Sequence, residues 1–212
     1  MKRLLNIFLN SVTKFVILLS IISYASSASA GVSRCQLPEF NDKNFTGWSL
    51  SRTYEYDDPA LGVDKRFESR MATANLYVYD LDLSNISAQD VRKQLDQAVR
   101  NALRHYHVQA NDNIVIGDPN WMPDAVFDEF SDWLELGVYF PIETKQGRLL
   151  QMSIVGMGEL ENCFHKIRFS ISFPEDLNED ELKYSFYQIS MIEFYNLAQM
   201  IEGSLNANEG SE

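Results

Sequence analysis

The chain has 212 residues, of which 45% are hydrophobic, with 18 Lys and Arg against 30 Asp and Glu, a net charge of −12. That length suits one domain with a sizeable core. The acidity repels phosphate backbones and anionic lipid, so nucleic acid and a charged membrane surface are excluded as expected partners.

Lys2, Arg3 and Lys14 supply the early positive charge, and the first acid is Glu39. A short apolar run follows from Phe15 to Ala25, too short for the roughly 20 residues that span a bilayer. Ala28-Ser29-Ala30 then offers the small side chains that signal peptidase accepts. Residues 1–30 are therefore expected to be a cleaved signal peptide, with no stable membrane insertion afterwards. The leader would remove three of the 18 basic residues and none of the acids, leaving a net charge of −15. A bacterial periplasm is the expected compartment. The arginine at 34 argues against lipid attachment at Cys35.

The two cysteines are Cys35 and Cys163. In an oxidising compartment two cysteines make one bridge, and a Cys35–Cys163 disulfide is expected.

Residues 31–47 read as an irregular lead-in, and residues 48–202 as one α+β domain. Trp48, Leu50, Tyr54 and Tyr56 recur with period two, the signature of a strand. Asp57 to Gly62 reads as a turn and Val63–Glu68 as a returning strand. Ala72–Leu81 is apolar on both faces and is expected inside the sheet. Ser87 opens a helix with Asp90 three residues on, at capping-box spacing. Val91, Leu95, Ala98, Val99, Ala102, Leu103 and Tyr106 form its apolar stripe.

Residues 114–117 suggest a short strand, and 118–132 a surface loop. Strands are expected at 133–142, 148–157 and 163–173. Asn178 and Glu181 mark the start of a final helix, whose apolar face is Leu182, Phe186, Ile189, Phe194, Leu197 and Ile201. Residues 203–212 are expected to be a disordered tail. The fold class is thus α+β: an antiparallel sheet of about six or seven strands covered by two main amphipathic helices, an α/β/α sandwich.

Three segments carry a likeness: Ala74-Asn-Leu-Tyr-Val-Tyr-Asp80, Ser87-Ala-Gln-Asp-Val91 at a helix start, and Gly147-Arg-Leu-Leu-Gln-Met-Ser-Ile154. With the order of elements over residues 48–202, they make the chain resemble the Mog1/PsbP-like domains. That resemblance implies an α/β/α sandwich that binds or helps assemble other proteins, and it transfers no site residue.

The loop aromatics Trp121, Met122, Phe127 and Phe130 are the candidate partner-binding residues, because exposed aromatics anchor interfaces. The acids beside them, Asp118, Asp124, Asp128, Glu129 and Asp132, lack the spacing of a calcium loop. His105 and His107 point about 200° apart on a helix, and His165 lies on a distant strand, so no metal site is expected. Cys163 and His165 share one strand face, the best catalytic hint, which a disulfide would silence. Tyr54, Tyr56, Tyr77, Tyr79 and Tyr106 would line a ligand cleft if the fold brings them together.

No catalytic or cofactor motif appears, and no cofactor is expected. The leading functional reading is an exported non-catalytic protein that binds another envelope protein, as an assembly or stability factor. The alternatives are a periplasmic small-ligand binder using the tyrosine-lined sheet, and a hydrolase with an unrecognised site.

Overall fold

The computed structural model describes residues 35, 47–110, 113–122, 134, 136–173 and 179–209. The chain divides into two compact units, Met1–Val32 and Ser33–Glu212, and every described residue lies in the second. The expected signal peptide, most of the lead-in, Asn178, Phe127 and Phe130 lie outside the described residues.

Among the described residues eight strands form one antiparallel sheet: β1 (Ser49–Glu55), β2 (Val63–Glu68), β3 (Ala72–Tyr79), β4 (Ile114–Ile116), β5 (Asn120–Trp121), β6 (Leu136–Thr144), β7 (Leu149–Leu160) and β8 (Cys163–Ser172). Their order is β1-β2-β3-β8-β7-β6-β4, with β5 also pairing with β6. Helix α1 is Ala88–Gln109 and helix α2 is Glu179–Glu209. The α+β class, the antiparallel sheet and the two helices are as expected. The extra strand is β5, two residues of the expected loop that pair with Tyr139 and Val138.

Local chemistry sets the elements. At α1, the Asp90 backbone N–H donates to Ser87 Oγ at 3.3 Å, and the Ser87 N–H donates back to Asp90 Oδ2 at 3.1 Å, a closed capping box. The Ser87 hydrogen bonds hold the Asp90 carboxyl below its usual range. Gly62 ends a 3₁₀ turn at Pro59–Leu61 with φ 64°, where a Cβ would collide with the Val78 carbonyl.

The β7–β8 hairpin turns on Glu161 and Asn162, both left-handed at φ 52° and 61°. Asn162 Nδ2 donates to the Ser84 carbonyl, and its Oδ1 accepts from the Ile86 N–H, both at 2.8 Å. One asparagine thus makes the turn and ties it to the segment entering α1.

Strand alternation divides the core between the two faces. On one, Val91, Leu95, Val99 and Ala102 of α1 pack with Val138, Phe140, Val155, Met157 and Phe164. On the other, Phe186, Phe194, Leu197 and Ile201 of α2 pack with Leu76, Ile154, Ile167 and Phe169. A Cβ on Gly156 would lie 2.8 Å from Phe194 and 2.9 Å from Leu134, so this position lets α2 approach β7. The Cys35–Cys163 disulfide is formed, with both residues in the α2-side core.

Two expectations are corrected. The backbone stays helical through residues 203–209, which were expected to be disordered. Ser204 is buried there and donates to the Met200 carbonyl at 2.9 Å, so the hydroxyl is satisfied within the helix. Ile189 was expected on the buried face of α2 but is 44% exposed, because the buried stripe runs through Phe186, Ser190, Phe194 and Leu197. Among the described residues no helix is long and apolar enough to cross a membrane.

Candidate functional site

Helix α1 packs on β6, β7 and β4 and touches β3 at Tyr79, whose hydroxyl lies 3.5 Å from Gln94; among the described residues the same face of β1, β2 and the rest of β3 has no helix packed over it. Register fixes what this half displays. One row runs Tyr54, Asp64, Tyr77, Lys166 across β1, β2, β3 and β8; the next runs Arg52, Arg66, Asn75, Arg168. Neighbouring strands are about 4.8 Å apart, so each row is about 14 Å wide.

The charges on this face are only partly matched. Asp64 is buried, and its carboxylate accepts from Arg52 Nη2 at 3.1 Å and from Asn75 Nδ2 at 2.9 Å. Arg66 Nε donates to Glu68 at 2.9 Å. Lys166 and Arg168 take part in neither ion pair. Instead, Lys166 Nζ stands 3.9 Å from the centroid of the Tyr77 ring and 5.5 Å from that of Tyr79. Arg168 lies 5.4 Å from the ring of Tyr106. These are cation–π contacts, which hold a cation without neutralising it.

Burial shapes the titration of the face. It pulls the Lys166 ammonium down to about 8, against the attraction of Asp64 and with the repulsion of Arg168. It pushes the Tyr77 phenol up to about 12, with the Asp64 charge adding to it, and also raises Tyr79 and Tyr56. Tyr106 differs. Its hydroxyl lies 3.0 Å from Ser170 Oγ and 3.5 Å from Ser153 Oγ, and accepts from Gln151 Nε2 at 3.0 Å. Burial alone would raise this phenol. The serine hydrogen bonds, together with the charge and hydrogen bond of Arg168, outweigh that, bringing it below its ordinary value.

The fold therefore brings four of the five tyrosines singled out in the sequence, Tyr54, Tyr77, Tyr79 and Tyr106, to one face, with Tyr56 against Tyr54 at 4.9 Å between ring centroids. Lys166 and Arg168 were missed. On the sequence they are ordinary polar alternates of a strand, and only the pairing of β3 with β8 places them beside the tyrosines.

The loop candidates separate. Trp121 is 39% exposed and stacks under the Arg92 guanidinium, 3.2 Å from ring centroid to Cζ. Met122 is buried in the α2-side core, which corrects its expected role as a surface anchor. Its N–H donates to the Gly137 carbonyl, so the end of β5 carries it into the core. Phe127 and Phe130 lie outside the described residues, as do Asp124, Asp128, Glu129 and Asp132.

The catalytic hint at Cys163 is silenced by the disulfide. His165 is buried, with Nδ1 3.2 Å from the Cys163 carbonyl, and burial lowers its imidazole to about 4. It is neutral at ordinary pH. His105 and His107 stay within α1, which runs on to Gln109. Among the described residues no three metal-ligating side chains converge. A cavity of about 220 Å³ opens on the opposite side, between Trp48, Arg70, Met71, Ile171, Ile189 and Glu193.

No protein-family model and no curated protein matches the chain. Among solved structures it is similar to the solution structure of cyanobacterial PsbP (CyanoP) from Synechocystis sp. PCC 6803. The match covers 78% of this chain and 95% of that one, with 13% identity and a TM-score of 0.31.

Proposed function

We propose that this is an exported, non-catalytic protein of a bacterial cell envelope that holds another protein, as an assembly or stability factor. The observation that carries the reading is the open half of the sheet, where Tyr54, Tyr77, Arg66, Lys166 and Arg168 stand together on β1, β2, β3 and β8. Tyrosine and arginine are the side chains enriched where proteins meet. The leader pattern of residues 1–30 supports export, and so does the Cys35–Cys163 disulfide, which belongs in an oxidising compartment. The hydrolase alternative loses its best residue to that disulfide.

The test is a tagged pull-down from the envelope fraction of the native host after mild crosslinking, read by mass spectrometry. A reproducible, near-stoichiometric partner is expected for the wild type and lost in the Tyr54→Ala, Tyr77→Ala double variant. The Trp121→Ala, Phe130→Ala variant tests the loop as a second contact. Failure to recover any partner with the wild type sinks the reading. The same peptides report the mature N-terminus and the disulfide.

A further inference from the structure

We propose that Lys166 and Arg168, with the tyrosines beside them, bind an acidic segment of the partner protein, whose carboxylates meet the two cations while its chain crosses Tyr77 toward Tyr54. This rests on the protein-binding reading above and names the chemistry of the partner.

Three observations carry it. The first is charge. The chain has a net charge of −12, yet among the described residues this face has four cations, Arg52, Arg66, Lys166 and Arg168, against Asp64 and Glu68. Arg52 and Arg66 are matched by those two acids. The surplus falls on Lys166 and Arg168, two residues apart on the same face of β8 and about 7 Å from each other along the strand.

The second is that folding does not call for Lys166. Its half-buried stem packs on the rings of Tyr77 and Tyr79, which an apolar side chain would do without desolvating a charge. The groups facing it are Asp64, Tyr77, Tyr79 and Arg168, and the one carboxylate among them is already bonded to Arg52 and Asn75. A cation kept at a cost in stability suits a counter-charge from outside the chain.

The third is shape. The strands here spend their N–H groups on the ladder, so the face offers no backbone cradle for a phosphate. It offers instead a strip about 14 Å wide with aromatic surface and hydroxyl tips, which suits the alternating side chains of a peptide. The acidic remainder of the surface disfavours an anionic bilayer.

The experiment is fluorescence anisotropy at low salt, using the full mature chain and a labelled peptide of about eight residues rich in Glu and Leu. A Gln-for-Glu counterpart is the neutral control. The acidic peptide is expected to bind and to weaken as salt is added. Lys166→Met and Arg168→Gln should each weaken it about tenfold. The Arg100→Gln, Arg104→Gln variant removes equal charge from the outer face of α1 and should change affinity less than about twofold. Thermal unfolding of each variant establishes that it is folded.

Equal binding by the Lys166→Met, Arg168→Gln double variant would overturn the inference, as would equal binding of the neutral peptide. So would displacement by inorganic phosphate at matched charge, which marks a small-anion site. Tighter binding to phosphatidylglycerol vesicles than to the peptide would overturn it in favour of a lipid surface. If the double variant still captures the wild-type partner in the pull-down, the acidic-segment inference fails while the protein-binding reading stands. If the wild type captures none, the reading itself fails.

Discussion

Lys166 sits directly opposite Tyr77 in the β3–β8 register, with its ammonium 3.9 Å above the phenol ring. The ring shields the cation from water without supplying a full counter-charge. Its folded pKa, about 8, lies below the ordinary lysine value of 10.5. Below pH 8 both folded and unfolded chains carry the proton, and the folded state bears the whole cost. Between about pH 8 and 10 the unfolded chain holds more protons than the folded one, so stability rises with pH through that window. Lys166→Met should abolish the rise and gain on the order of 1 kcal/mol at neutral pH. Urea denaturation across this pH range checks it, and an unchanged slope would refute the assignment.

His165 titrates in the acid range. Burial lowers its folded pKa to about 4 from 6.5. Above pH 6.5 the imidazole is neutral in both states and costs nothing. As pH falls from 6.5 toward 4, the unfolded chain takes up a proton that the folded chain refuses, and about 3 kcal/mol of stability is lost. In His165→Leu this part of the acid slope should disappear, at the cost of the contact with the Cys163 carbonyl. Denaturation midpoints at pH 7 and pH 5 for both proteins decide the matter.

Gly156 is where α2 meets β7. An added Cβ would press on Phe194 and Leu134, which are themselves buried. Gly156→Ala is expected to destabilise by about 1–3 kcal/mol. Phe194→Leu in the same chain should recover part of that, because it removes the atom nearest the new methyl. A double-mutant cycle measures the coupling, and strict additivity would mean the helix simply moves away.

Asn162 combines two jobs, which substitution can separate. Asn162→Ala removes the bonds to Ser84 and Ile86 and also strains the left-handed turn, so a loss of about 2–3 kcal/mol is expected. Asn162→Gly keeps the turn and loses only the bonds, so it should be about 1 kcal/mol better than the alanine variant. Equal losses would show that the turn conformation carries no strain.

Much of this architecture follows from the chain locally. Period-two alternation placed the longer strands to within a few residues, Ser87 with Asp90 marked the start of α1, and a lone pair of cysteines behind a leader-like segment predicted its own bridge. These signals depend on neighbours within a few positions. They were weaker at residues 118–122, where two residues pair with β6 and carry Met122 inward, and at 203–209, where a polar sequence stays helical beyond a glycine.

The face itself arises only when distant strands pair. Tyr54, Asp64, Tyr77 and Lys166 come from four strands, and β3 meets β8 across more than eighty intervening residues. Shifting the β3–β8 pairing by one residue would turn Lys166 and Arg168 to the side opposite Tyr77. Alternation along β8 is local, and it alone puts Lys166 and Arg168 on one side. Which strands lie beside them, and hence that they stand among tyrosines with the Asp64 carboxylate already bonded to Arg52 and Asn75, depends on non-local pairing, which no local pattern encodes.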